Sequence, residues 1–236
     1  MNNYFRGLLT LITLSLVLIN GANADNLHRV SPENAGFDGK RLALIDKKFH
    51  HYIDEGKTGG MIGAIANKNS VAYLKSFGYQ DIEGKLPMTE DTLFRIYSMS
   101  KPIVAVALMT LYEEGKFHLQ DPISKHMPEF ANLQVLKSAN GDDIELEDVD
   151  HAPTIQELLT HTAGFTYGVF GNTAVDKLYR EAGLLQTPEH TLADFTEKLS
   201  AIPLLYQPGT RWVYSVSVDV QGRLIEVLSG QSLEAF

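Results

Sequence analysis

Tyr97-Ser98-Met99-Ser100-Lys101-Pro102-Ile103-Val104-Ala105-Val106-Ala107-Leu108-Met109 decides how the rest of the chain is read. Ser98 and Lys101 stand three residues apart, so on a helix their hydroxyl and amine share one face. Pro102 lacks an N–H and is tolerated only in a first helical turn, which places the helix start near Ser98. The positive end of the helix dipole then lies at the serine. Beyond Pro102 the run 103–109 is apolar on every face, the pattern of a helix buried on all sides, and Glu113-Glu114-Gly115 marks its end. A serine hydroxyl beside an amine is the minimum needed for acyl transfer with lysine in the place of histidine. For Lys101 to accept a proton it must be neutral, so its pKa has to fall well below the ordinary amine range. Desolvation against the apolar helix and the positive helix end both push that way. A Ser-x-x-Lys spacing arises by chance about once per ~250 residues, so the surrounding segments carry the argument.

Upstream, Leu42, Ile45, Phe49, Tyr52 and Ile53 follow helical spacing over 38–55, with Asp38 as N-cap. Gly59-Gly60 breaks that pattern. Two strand-like runs, 61–66 and 71–77, are joined by Asn67-Lys68-Asn69-Ser70, which reads as a β-hairpin with a four-residue connection ended by Gly78. Residues 80–92 read as loop. Downstream, short helices are expected at 154–160, 192–200 and 218–228, the last closed by Gly230. A short extended piece at 212–215 follows the Pro208-Gly209 turn. The organisation is α/β at the N-terminal side with a mainly helical lobe after it, and there is no internal repeat.

The 236 residues are 44% hydrophobic, enough for one domain or a domain with a subdomain. A net charge of -9 argues against nucleic acid as a partner. Asp142, Asp143, Glu145, Glu147, Asp148 and Asp150 crowd one stretch, which reads as a solvated surface loop because the spacing fits no EF-hand. The chain has no cysteine, which excludes disulfides, thiol catalysis, cysteine-ligated metals and a lipid-modified N-terminal cysteine. The histidines show no ligand spacing, and adjacent His50 and His51 point to different helix faces, so no metal or cofactor is implied. Arg6 precedes an apolar run at 7–19, and Ala22-Asn23-Ala24 offers a small-x-small cleavage site. The run is shorter than the ~20 residues needed to span a bilayer. Residues 1–24 therefore read as a signal peptide cleaved after Ala24. That implies an exported, periplasmic or secreted protein comprising 25–236, with no stable membrane anchor.

Several segments occur in a telling order. They are Met88-Thr89-Glu90-Asp91-Thr92-Leu93-Phe94-Arg95-Ile96-Tyr97-Ser98-Met99-Ser100-Lys101, then Glu113-Glu114-Gly115-Lys116 and Leu119-Gln120-Asp121-Pro122. Leu159-Thr160-His161-Thr162-Ala163-Gly164 and the stretch from Pro208-Gly209 to Gly230 follow. Over about 31–236 the chain resembles the β-lactamase-related serine hydrolases, which include class C-type β-lactamases, penicillin-binding D-alanine carboxypeptidases and family VIII carboxylesterases. The resemblance implies a β-lactamase/transpeptidase-like α/β (α+β) fold, an antiparallel sheet flanked by helices plus a mainly helical lobe. It also implies that Ser98 is acylated, that Lys101 is the base or proton shuttle, and that Tyr214 is the partner base of the family's Tyr-x-Asn box. The Ser98 backbone N–H would be one oxyanion donor. Arg95, Ser100 and Trp212 would support the site. His161 reads as structural, because no Gly-x-Ser-x-Gly elbow exists to pair with it. The implied substrate is a small-molecule ester or amide. The second box here is Tyr214-Ser215-Val216, and valine has no side-chain hydrogen bond to donate to a β-lactam or peptide carbonyl. That departure resembles the esterase branch acting on short acyl esters. The alternatives are a β-lactamase or D-alanyl-D-alanine carboxypeptidase-like enzyme, or a truncated non-catalytic relative. Family members continue beyond the position of Phe236 with a third box and further strands. The resemblance therefore leads one to expect an incomplete domain without its C-terminal sheet strands.

Overall fold

The computed structural model describes residues 28–67, 70–141, 143–185 and 191–236, so the signal-peptide reading of 1–24 lies outside the described residues. One unit of the chain ends at Phe94, and a second spans Arg95–Phe236.

In the first unit, Asp38 opens helix α1 (Gly39–Asp54) by accepting hydrogen bonds from the Lys40 and Arg41 N–H groups. Strands β1 (His28–Arg29), β2 (Gly60–Asn67), β3 (Ser70–Asp81) and β4 (Leu86–Pro87) follow the order β1-β3-β2, with β4 also paired to β3. β2 and β4 run antiparallel to β3, whereas the short β1 runs parallel to it. The Asn67↔Ser70 pairing makes the β2–β3 connection shorter than the four residues expected. Gly78 does not end the strand. It sits inside β3 at φ +70, and a Cβ there would strike the Gly59 carbonyl, so glycine permits a close approach of neighbouring strands. Beyond it Tyr79 pairs with Pro87, which brings part of the expected loop at 80–92 into the sheet. α1 lies against β3 through Phe49, edge-on to Phe77 at 5.3 Å. The Asp46 carboxylate accepts from the Tyr73 hydroxyl at 2.7 Å and pairs with Lys75 at 2.5 Å.

The second unit begins with a 3-10 turn (Tyr97–Met99) that leads into α2 (Ser100–Glu113). A hairpin of β5 (Gln134–Asn140) and β6 (Asp143–Asp148) follows, then α3 (Ile155–Leu159), α4 (Ala174–Glu181), α5 (Leu192–Ser200) and α6 (Ser217–Ser229). Helix α6 packs against α2, α3 and α5. Leu108, Leu158, Leu199, Val220, Leu224 and Ile225 are fully buried in this core. Truncating one such leucine to alanine costs about 2–5 kcal/mol.

The acidic stretch expected as a loop is largely strand β6. Its acids alternate with Ile144 and Leu146, and β5 anchors the hairpin through buried Val135, which bridges to Leu204. Residues 212–215 are irregular rather than a strand. α2 is also not buried on all sides. Val104, Leu108 and Leu111 face the core, while Ile103 and Val106 are 62% and 65% exposed.

Candidate active site

Tyr97 adopts φ +46, a left-handed conformation uncommon outside glycine, immediately before Ser98. Ser98 Oγ lies 2.5 Å from the Tyr214 hydroxyl, and Lys101 Nζ donates to Ser98 Oγ at 3.2 Å. The same ammonium sits 4.7 Å from the centroid of the Tyr214 ring and 5.5 Å from that of Tyr167. The structure therefore brings Ser98, Lys101 and Tyr214 together, although Tyr214 is 116 residues away in sequence from Ser98.

Aromatic neighbours fix the Tyr214 ring. Tyr167 stacks on it at 5.4 Å with an 11° interplanar angle, and Phe170 stands 5.9 Å away. His161, at φ +57, holds the backbone on either side of Tyr214. Its carbonyl accepts from the Val213 N–H at 2.9 Å, and its Nδ1 accepts from the Ser215 N–H at 3.3 Å. A ring nitrogen that accepts from a backbone N–H carries no proton, so the imidazole is neutral with its hydrogen on Nε2. Burial, then the Lys101 charge, lower the His161 pKa in keeping with that state. His161 thus orients the segment that carries Tyr214. Trp212 stands 6.2 Å from His161 and 6.4 Å from Tyr214, with most of its surface exposed. Ser100 lines the cleft beside Ser98. Arg95 is exposed and makes no hydrogen bond to Ser98, Lys101 or Tyr214.

The electrostatics reverse one expectation. Burial alone would lower the Lys101 pKa, but the hydroxyl of Tyr214 and the charges of Tyr167 and Tyr214 outweigh it and raise the pKa. The pKa of Tyr214 is lowered, first by Lys101 and then by the hydrogen bond with Ser98. The pair therefore favours a protonated lysine beside an acidified phenol. Ser98, Lys101 and Tyr214 thus form one hydrogen-bonded cluster.

Sequence reasoning missed Tyr167, Phe170 and Asp219. Tyr167 and Phe170 sit on a loop wrapped around the fully buried Asp176. One oxygen of that carboxylate accepts from the Thr166 hydroxyl at 2.6 Å and the Gly168 N–H at 3.2 Å. The other accepts from the Thr173 N–H at 2.9 Å and the Thr173 hydroxyl at 2.8 Å. Arg180 ties the same loop by donating to the carbonyls of Gly168 and Gly171. The legible signal was Thr173-Ala174-Val175-Asp176, a capping box that opens α4. Asp219 was legible only as one acid among the apolar residues Val218 and Val220 in the first turn of α6.

The Beta-lactamase family profile matches residues 45–236. Protein Rv1367c of Mycobacterium tuberculosis is 36% identical over 172 residues, covering 73% of this chain and 42% of its own length. Esterase EstB of Burkholderia gladioli is 32% identical over 209 residues, 87% of this chain and 50% of its own. Among solved structures, EstCE1, described as a hydrolase with promiscuous acyltransferase activity, superposes with a TM-score of 0.70 at 30% identity. That match covers 81% of this chain and 48% of EstCE1. The chain thus spans about half the length of these relatives.

Proposed function

The chain belongs to the Beta-lactamase family and has its β-lactamase/transpeptidase-like α+β fold, and from that premise we propose that the protein is a serine hydrolase acylated at Ser98 that acts on short acyl esters. The observation that carries this reading is the placement of Ser98 Oγ 2.5 Å from the Tyr214 hydroxyl, with Lys101 Nζ 3.2 Å away. In the proposed sequence the Tyr214 phenolate takes the Ser98 proton as Oγ attacks the ester carbonyl carbon. The Ser98 N–H donates to the developing oxyanion. Collapse of the tetrahedral intermediate breaks the bond to the alcohol oxygen, which takes the proton from Tyr214. Water then repeats the cycle on the acyl-enzyme, returning the proton to Ser98 and releasing the acid.

Esters are favoured over β-lactams by the third position of the second box. Val216 is fully buried, its N–H donates to the Thr166 carbonyl, and its hydrocarbon side chain has no donor to offer an amide substrate. The names of EstB and EstCE1, an esterase and a hydrolase, agree with this preference. The leader-like character of residues 1–24 supports export of the activity, and N-terminal sequencing of the mature protein is expected to find cleavage after Ala24.

The test is the intact mass of the protein after treatment with a fluorophosphonate, together with turnover of nitrophenyl acetate and a β-lactam chromogen. A single adduct is expected, absent in Ser98→Ala, with ester turnover at least ~1000-fold lower in that variant. Unchanged turnover in Ser98→Ala would overturn the reading, as would a folded parent that takes up no label. Faster turnover of the β-lactam than of the ester would shift the assignment to the β-lactamase-like alternative.

A further inference from the structure

The cleft beside Ser98 holds one charge that the acyl-transfer steps do not use. Asp219, in the first turn of α6, lines a space of about 290 Å³ together with Lys101, Val104, Tyr167, Leu192 and Leu233. Valine and leucine make its walls apolar. Gly222, one helical turn beyond Asp219, lets those walls close onto the helix. A Cβ there would come within 3.0 Å of Leu233 and 3.2 Å of Leu192. Among the described residues, no other residue donates a hydrogen bond to the Asp219 carboxylate or forms an ion pair with it. The carboxylate of Asp176, by contrast, accepts four hydrogen bonds.

A carboxylate held in largely apolar surroundings with no donor beyond its own backbone N–H is unfavourable, and a cation or strong donor brought to it relieves that cost. Burial accordingly pushes the Asp219 pKa up, and the charge of Lys101 offsets this only in part. Lys101 is already engaged with Ser98 and Tyr214. Tyr167, the other titratable group in electrostatic reach, has a raised pKa, chiefly from burial and then from Asp219.

Resting on the hydrolase reading above, we propose that this cleft is the acyl subsite and that Asp219 makes it selective for short acyl groups carrying an ammonium, as in aminoacyl esters, over those carrying a carboxylate. The acyl chain lies between Val104, Leu192 and Leu233, and its terminal ammonium donates to Asp219. The carbonyl carbon stays at Ser98 Oγ. An acyl group ending in a carboxylate would place two like charges together in a poorly solvated space.

Benzyl esters of butyrate, β-alanine and succinate share one chain length and one leaving group and differ in the terminal charge. The parent is expected to favour the β-alanine ester in kcat/KM and to disfavour the succinate ester. In Asp219→Asn the β-alanine to butyrate ratio should fall about tenfold or more, the usual worth of a hydrogen bond to a charged group, with partial recovery in Asp219→Glu. A ratio within twofold of the parent in Asp219→Asn would overturn the proposal and leave Asp219 acting on all acyl groups alike. A second measurement needs no turnover. Propylammonium should raise the thermal midpoint of the parent more than propionate does, and equal or reversed shifts overturn the subsite. If the parent hydrolyses none of the three esters and takes up no fluorophosphonate, the hydrolase reading fails, while the thermal shifts still decide whether the cleft prefers a cation.

Discussion

Tyr214 and Lys101 form a pair whose protonation states are set jointly, and that pairing makes a testable claim about pH. The Tyr214 pKa is lowered, chiefly by Lys101, and the Lys101 pKa is raised by its tyrosine neighbours against the effect of its burial. Catalysis through the phenolate therefore switches on as pH rises through the lowered pKa of Tyr214. It switches off above the raised pKa of Lys101, where the cation that steadies the phenolate is lost. The acidic limb of kcat/KM should lie below the ordinary phenol range and the alkaline limb above the ordinary amine range. Tyr214→Phe keeps the ring stacked on Tyr167 but removes the oxygen within reach of Ser98. It is expected to lower kcat about 100- to 10,000-fold and to abolish the acidic limb. An acidic limb that survives in Tyr214→Phe would mean that another group takes the Ser98 proton. The Lys101 pKa is raised where the sequence led one to expect it lowered, and the reason is physical. Desolvation of Lys101 was legible from the apolar helix, but the stack of tyrosines that opposes it comes from positions 167 and 214 and exists only in the folded chain.

Elements with their own local signals were legible in the sequence, and elements whose signal was masked or tertiary were not. The Asp38 cap, the Glu113–Gly115 stop and the Gly230 terminus of α6 each fix a helix end by backbone chemistry that neighbouring residues supply. Strand β6 was hidden because its acids dominate a period-2 alternation that otherwise reads as a strand. α4 is only eight residues long, so its propensity signal is weak, and its capping box was the feature to read. Ser98 and Lys101 were legible from their spacing together with the ordered segments around them. Tyr167 and Asp219 were not, because a loop fold and a helix packing bring them to the site. The loop that carries Tyr167 depends on Asp176, whose isosteric replacement by asparagine would set an NH2 group against donors from Thr166, Gly168 or Thr173. Asp176→Asn is expected to lower stability by about 2–3 kcal/mol in urea unfolding. Burial alone would raise the Asp176 pKa, but the hydrogen bonds from Thr166 and Thr173 bring it below the ordinary carboxylate value. A group with a depressed folded pKa contributes stability that is full above its unfolded pKa of about 3.9 and is lost as pH falls through the folded value. The difference between parent and Asp176→Asn should therefore shrink below about pH 4. A difference that stays constant down to pH 2 would show that Asp176 acts through packing alone.

At the scale of the whole molecule, an acidic net charge coexists with exposed apolar side chains, some of them aligned on one face of α2. α2 carries two apolar stripes. Val104, Leu108 and Leu111 face the core and the cleft, while Ile103 and Val106, continued by Met99 of the preceding 3-10 turn, run along the opposite side at 62%, 65% and 70% exposure. The outer stripe follows the i, i+4, i+7 spacing of a single helix face, so its apolar area is contiguous rather than scattered. Contiguous exposed area of this kind drives association, whereas the charge of -9 opposes it most at low ionic strength. The protein should therefore associate increasingly as salt screens its charge, a dependence that sedimentation velocity at fixed protein concentration can follow. Replacing both Ile103 and Val106 by lysine places charges in the middle of the stripe and leaves Ser98, Lys101 and the core-facing residues untouched. The double variant is expected to remain monomeric at salt concentrations where the parent associates. Lysine is a good helix former, so α2 should keep its length and its stability to within about 0.5 kcal/mol. Equal association in parent and variant would assign the attraction to another surface, and the outer edge of β2, unpaired among the described residues, would be the next to test.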